Sequence, residues 1–196
     1  MTQAAGRIAR REFVRELVGR CPGVLVVTGL GSPTWDVFAA GDRPENFYLW
    51  GAMGGAAAIG LGLAIAQPQR SVLVVTGDGE QLMGLGMLAT VGAQQPANLT
   101  IAVLDNGHYG ETGMQRSHTS MGTDLVAVAR GCGIAHALEI REAQEVAGLA
   151  DRVNARAGCV FADVRVQADD LPKVLPARDG AYLKNRFREA LGLPPY

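Results

Sequence analysis

The sequence predicts an α/β protein: a doubly wound, mainly parallel sheet flanked by helices, in a single domain over residues 1–196. Three observations predict it. Short apolar runs of β character alternate with helical runs along the chain, the pattern of parallel strands joined by crossover helices. Two of those runs, 71–76 and 99–104, stop abruptly at Gly77-Asp78-Gly79 and at Asp105-Asn106-Gly107. Residues 80–104 lie between the stops, about the length of one crossover helix and one strand. Two such strands, adjacent and parallel, put the Asp78 carboxylate beside the Asn106 amide at one end of the sheet.

The first element is an amphipathic helix over 8–18, with Ile8, Phe13, Val14 and Leu17 apolar among arginines and glutamates. Arg7, Arg10, Arg11 and Arg15 read as its solvated or subunit-facing side. Cys21-Pro22-Gly23 breaks it. A short buried strand over 24–27 ends at Thr28-Gly29-Leu30-Gly31-Ser32, and 34–40 reads as a short helix. Residues 49–66 carry no charge and approach the length of a membrane-spanning helix. Gly51, Gly54, Gly55, Gly60 and Gly62 interrupt them and no positive cluster precedes them, so a buried helix in close contact with a sheet or subunit is the better reading. Strand 71–76, helix 80–94, strand 99–104 and a loop over 107–122 come next. Helix 124–130, strand 134–138, helix 143–155 and strand 160–166 complete five β-runs. His136 reads as a core histidine on its strand. Residues 167–196 are polar and punctuated by proline, with a helix at 182–191, and read as a surface or interface tail.

Composition narrows the function. A formal net charge of −1 and 19% charged residues give no electrostatic footprint for nucleic acid. Cys21, Cys132 and Cys159 are scattered with no C-x-x-C, the usage of buried free thiols in a reducing compartment. The first residues lack an apolar signal core, so a cytoplasmic location without membrane contact is expected. Gly29-Leu30-Gly31-Ser32-Pro33-Thr34 lacks the last glycine of G-x-G-x-x-G and contains a proline, which argues against dinucleotides.

In doubly wound sheets ligands sit outside the carboxyl ends of the strands, where 28–32, 77–79 and 106–110 fall. Asp78 and Asn106 make half of a hard-cation site, and a glycine-lined helix start beside them suits phosphate. That spacing, joined to Asn106-Gly107-His108-Tyr109-Gly110, resembles the diphosphate-and-magnesium motif of the thiamine-diphosphate enzymes. The resemblance spans roughly 24–166 and is to their diphosphate-binding domain. It implies Mg²⁺ held by Asp78, Asn106 and the His108 backbone carbonyl, with diphosphate and water completing an octahedral shell. It also implies a cofactor surrounded by Gly29, Ser32, Gly51, Met53, Gly77, Gly79, Glu80, Tyr109 and Gly110. Gly51-Ala52-Met53-Gly54 resembles the stretch that supports the bent cofactor, with Met53 as the apolar wedge and Gly51 offering its carbonyl to the 4′-amino group.

The run from Leu104 to Gln115 is similar to the split-subunit group of the family, the beta subunits of sulfopyruvate decarboxylase and the C-terminal half of phosphonopyruvate decarboxylase. Asp105 stands where the family usually has a first asparagine. The resemblance implies decarboxylation of a small 2-oxo acid, with the cofactor as electron sink. It also implies a hetero-oligomer with a separate pyrimidine-domain (alpha) subunit, which supplies the glutamate that protonates the cofactor. His108, Glu111 and His118 are the catalytic candidates, although solvated roles for all three stay open. Gln115, Arg116, His118 and Thr119 are the local candidates for a sulfonate or phosphonate. Carboligation or 2-oxo acid oxidation by the same cofactor, and a non-catalytic assembly subunit, remain alternatives. The lack of C-x-x-C counts against ferredoxin-linked versions, and the lack of a third domain against flavin-containing synthases.

Overall fold

A computed structural model describes residues 8–194. In chain order the elements are α1 (Arg10–Gly19), β1 (Leu25–Thr28), α2 (Ser32–Ala39), β2 (Asn46–Tyr48), α3 (Ala56–Ala66), β3 (Val72–Gly77), α4 (Asp78–Met83) and α5 (Met87–Gln94). They continue with β4 (Leu99–Asp105), β5 (His108–Tyr109), β6 (Gln115–Arg116), α6 (Leu125–Gly131), β7 (His136–Ile140), α7 (Val146–Ala155), β8 (Val160–Arg165) and α8 (Gly180–Ala190). Six strands form one sheet in the order β2-β1-β3-β4-β8-β7, every pairing parallel. β5 and β6 form a separate antiparallel hairpin.

Both faces of the sheet are covered, which is why its strands read as continuous apolar runs. Successive side chains of β3 and β4 go to opposite layers. Leu73, Val75, Ala102 and Leu104 join α1 and α7 through Phe13, Val14, Leu17, Leu149 and Val153. Val72, Val74, Ile101 and Val103 join α3, α5 and α6 through Leu61, Leu88, Val91, Leu125 and Ala129. The glycines of α3 serve this packing: a Cβ on Gly60 would lie 2.2 Å from Val74 Cγ2.

The structure departs from the sequence expectations in identifiable places. A sixth strand, β2, pairs with the outer side of β1; at three residues it is too short to show periodicity. The helix expected over 80–94 is two helices, broken where a Cβ on Gly84 would lie 2.3 Å from the Gly54 carbonyl oxygen. The glycine-rich segment becomes helical only at Ala56. Residues 167–194 are more than a surface tail, because α8 buries Leu183 and Phe187, and the Phe187 ring sits 5.5 Å from that of Phe47. His136 is exposed at the start of an edge strand, not in the core. Arg10 is buried and ion-paired with Asp36 at 2.9 Å, and Arg11 reaches the same carboxylate; Arg7 lies outside the described residues. Among the described residues no helix is long and apolar enough to cross a membrane, and Cys21, Cys132 and Cys159 are free.

Candidate active site

The chain leaves β1 toward β2 on one side and returns to β3 on the other, so the winding direction reverses between β1 and β3. Such a reversal opens a crevice at the carboxyl ends of the two strands. A pocket lies there. Leu30, Ser32 and Pro33 line it after β1, Gly77, Asp78, Gly79 and Glu80 after β3, and Leu104 and Asn106 at the end of β4. His108, Tyr109, Gly110, Glu111 and Thr112 form another wall, with Met53 and Arg10 completing the lining.

Register brings the two motifs together. Gly77 pairs with Leu104, so Asp78 and Asp105 follow at the same level of neighbouring strands, with Asn106 one residue beyond. Asp78 is the first residue of α4, where the helix dipole favours a negative charge. Burial outweighs this: desolvation first, and the nearby Asp105 charge second, push the Asp78 carboxyl up to about 6. Its Oδ2 accepts from the Ser117 hydroxyl and lies 3.2 Å from the Thr119 hydroxyl. Asn106 Oδ1 accepts the His108 N–H at 2.8 Å, an Asx turn that orients the amide oxygen.

Close approach explains three glycines in and beside the site. A Cβ on Gly79 would lie 2.5 Å from the Tyr109 ring, so the first turn of α4 stays bare under that ring. Gly54 and Gly84 meet backbone to backbone, which anchors the loop carrying Met53 to the end of α4. In that loop Gly51, Ala52 and Gly54 all have positive φ, and Ala52 at +51° is a strained position for a side-chain residue. Met53 stands at the pocket margin, 39% exposed.

Glu80 points inward from α4. Its Oε2 accepts the Leu30 N–H at 2.8 Å, tying the loop after β1 to the loop after β3. Burial raises this carboxyl above the usual range, with the Leu30 N–H acting against it. Gly29 has no room for a side chain, since a Cβ there would lie 1.9 Å from Glu80 Oε2. Glu80 thus does more than complement the helix dipole from the first turn of α4.

Other expected residues fall differently. Glu111 lines the pocket near Lys173, 3.9 Å away, and no bond joins it to His118. His118 is exposed and outside the pocket lining; its neighbours Ser117 and Thr119 are the ones turned to Asp78. Thr119 is committed to the buried carboxylates and Gln115 to Thr112, while exposed Arg116 bonds Ser120, so the four do not converge as an anion pocket. Gly29 and Gly51 flank the pocket without lining it. Sequence reasoning missed Arg10 and Ser117 as site residues, and it offered Thr119 to an anion where the structure turns it to Asp78 and Asp105. Arg10 looked like any other arginine of a charged helix, and nothing local distinguishes a hydroxyl that closes onto a carboxylate from far along the chain.

Asp78 and Asn106 give two hard-oxygen donors on one wall, beside helix-start N–H groups without intrahelical partners and a glycine floor. Among the described residues no group of three or more His, Cys, Asp or Glu side chains gathers to hold a metal. The donor set fits a cation that takes part of its shell from a phosphorylated ligand, and it fits a diphosphate.

Comparisons agree with this geometry. Residues 33–164 match the family model described as thiamine pyrophosphate enzyme, C-terminal TPP binding domain. The chain is 43% identical over 110 residues to the sulfopyruvate decarboxylase subunit beta of Methanocaldococcus jannaschii, covering 56% of this chain and 58% of that one. It is 37% identical to the phosphonopyruvate decarboxylase of Streptomyces viridochromogenes, covering 98% of this chain and 49% of that protein. The chain therefore spans about half the length of these relatives. The benzoylformate decarboxylase of Polynucleobacter necessarius superimposes with a TM-score of 0.68 at 18% identity, over 88% of this chain and 35% of that one, a likeness of fold. By the family model and by its relatives alike, this chain belongs to the thiamine pyrophosphate enzymes and contains their C-terminal TPP-binding domain.

Proposed function

We propose that this chain is the diphosphate-binding subunit of a thiamine-diphosphate- and Mg²⁺-dependent decarboxylase of small 2-oxo acids, of the sulfopyruvate or phosphonopyruvate type. The observation that carries the reading is the convergence of Asp78 and Asn106 in one pocket at the switch point, in a chain related to decarboxylases along most of its length. When bound, thiamine diphosphate supplies the electron sink for the carbon that loses CO₂.

The chain's own residues bind and orient. Asp78 gives the charged ligand of the cation, Asn106 its amide oxygen, and His108 its backbone carbonyl. Gly77, Gly79 and the start of α4 receive the diphosphate, while Glu80 holds the loop after β1 in place. Met53 supports the cofactor's rings from the pocket margin, with Gly51 presenting its carbonyl alongside. Leu30, Pro33 and Leu104 keep water from the pocket's inner wall. Arg10 lies on the lining, where guanidinium donors beyond its Asp36 pair could meet an anionic group; Arg116 is exposed and bonded to Ser120. His108 and Glu111 stand in the lining where a proton could be held or moved; His118 is exposed and outside that lining.

A separate pyrimidine-domain subunit completes the site, in a cytoplasmic hetero-oligomer. The beta-subunit naming of the relative and the exposed Met53, Met83, Met114 and Met121 support this. The test is product analysis. The chain co-expressed with such a subunit, given thiamine diphosphate, Mg²⁺ and a panel of 2-oxo acids, should release CO₂ and an aldehyde, most readily from substrates with a sulfonate or phosphonate. Condensation products in place of the aldehyde would replace decarboxylation with carboligation.

A further inference from the structure

Asp105 is 1% exposed and does not line the pocket, yet it bonds to segments that bear on it. Its Oδ1 accepts the Gly107 N–H and the Thr119 hydroxyl, both at 2.8 Å, and its Oδ2 is ion-paired with Arg165 Nη1. Thr119, with Ser117 2.9 Å away, closes onto Asp78 Oδ2. Arg165, at the end of β8, also reaches Glu139 at 2.7 Å and Asp163 at 3.2 Å. Three carboxylates, those of Asp105, Glu139 and Asp163, thus gather around this guanidinium, and among the described residues only Glu139 has a second cation, in Arg141.

We propose that Arg165 is a positioning residue for the cation site, acting through Asp105 and Thr119 on Asp78. The inference rests on the assignment of Asp78 as the cation's carboxylate. A carboxylate buried at position 105 needs a cation, because removing one partner of a buried pair leaves an uncompensated charge. With Arg165 in place, Asp105 accepts two bonds at once. One fixes the Gly107 amide and so the turn that presents Asn106; the other fixes the Thr119 hydroxyl and so one edge of the Asp78 carboxylate. Without Arg165, the Asp105 charge turns on Asp78, and the hydroxyl bridge between them loses its geometry. An asparagine at 105 has the same shape and the same accepting oxygen, with no charge to neutralise. The dependence on Arg165 is therefore a consequence of the aspartate.

A double-mutant cycle on the chain complexed with its pyrimidine-domain partner tests this. Mg²⁺-dependent binding of thiamine diphosphate is followed by calorimetry, and folding by thermal unfolding without ligand. Arg165→Met should weaken binding about tenfold, and Asp105→Asn with Arg165→Met should return it to within roughly threefold of wild type. Thr119→Val, which leaves the ion pair intact, should reproduce the loss seen in Arg165→Met. Wild-type affinity in folded Arg165→Met, or in Thr119→Val, would overturn the inference, as would a stable double variant no better than the single one. A merely structural arginine would show its loss and its rescue in thermal unfolding alone, with the affinity of the folded protein unchanged. Absence of Mg²⁺-dependent binding in the wild-type complex would instead overturn the assignment of Asp78, and the inference with it.

Discussion

Asp78 and Asp105, at the ends of neighbouring parallel strands, share the hydroxyl of Thr119, which lies 3.2 Å from one carboxylate and 2.8 Å from the other. One hydroxyl proton cannot satisfy both acceptors; Asp105 has Arg165 as its counter-charge, whereas Asp78 accepts from hydroxyls and pairs with no cation among the described residues. A divalent cation at Asp78 would supply the missing charge. Under the proposed function the same ion would also neutralise the diphosphate.

Met53 gives the first prediction. Met53→Ala should leave diphosphate anchoring largely intact and lower turnover by about tenfold, because packing against the rings is lost while the phosphate contacts remain. Met53→Leu should be tolerated, the two side chains being of similar volume. Steady-state kinetics beside a cofactor titration separates the two effects, and full turnover in Met53→Ala would remove the wedge role.

The glycines of α3 give the second. Gly62 has nothing within 4 Å of a Cβ, whereas one on Gly60 would strike Val74. Gly62→Ala should therefore stabilise the chain by about 0.5–1 kcal/mol through helix propensity, and Gly60→Ala should destabilise it by roughly 1–3 kcal/mol through overpacking. Urea unfolding of both variants measures the contrast, which would vanish if the helix did not press on β3 as described.

The third concerns pH. Burial, aided by Asp105 and opposed by Arg165, pushes the Asp163 carboxyl from 3.8 up to about 8. A carboxyl raised on folding contributes stability that is fully present below its unfolded value and lost as pH rises through the folded one. The ligand-free chain should therefore lose stability between about pH 4 and 8. Asp163→Asn should flatten the upper part of that fall, and its advantage over wild type should grow with pH. A difference between the two that does not change with pH would contradict the assignment.

The fourth concerns assembly. Expressed alone, the chain should self-associate and show little or no decarboxylase activity, because Met53, Met83, Met114 and Met121 are left in water and no second subunit completes the pocket. Co-expression with a pyrimidine-domain chain should give a hetero-oligomer with one cofactor per pair, as read by light scattering and cofactor stoichiometry. A well-behaved homomer turning over 2-oxo acids would refute the split arrangement.

Strands and their ends were legible because parallel strands buried on both faces are long apolar runs, and Gly77-Asp78-Gly79 and Asp105-Asn106-Gly107 mark where two of them stop. The Asp78–Asn106 pairing followed from spacing alone. What could not be read depends on contacts between distant segments. The break at Gly84 exists because Gly54 presses on it, and the three-residue β2 exists because β1 offers it an edge. Thr119 and Ser117 reach Asp78 only after the hairpin of β5 and β6 has folded the loop back. Arg165, the first residue outside the buried pattern of its strand, gave no sign that it would neutralise the strand beside it.

The most direct test of the account is a calorimetric titration of thiamine diphosphate into the assembled protein, with and without Mg²⁺, for wild type, Asn106→Ala and Asp78→Ala. With Asp78 proposed as the cation's one charged protein ligand, its removal should abolish Mg²⁺-dependent binding, and removal of the Asn106 amide should weaken it strongly. The account predicts tight binding to wild type only when Mg²⁺ is present, and none to Asp78→Ala. Wild-type affinity in Asp78→Ala would contradict it.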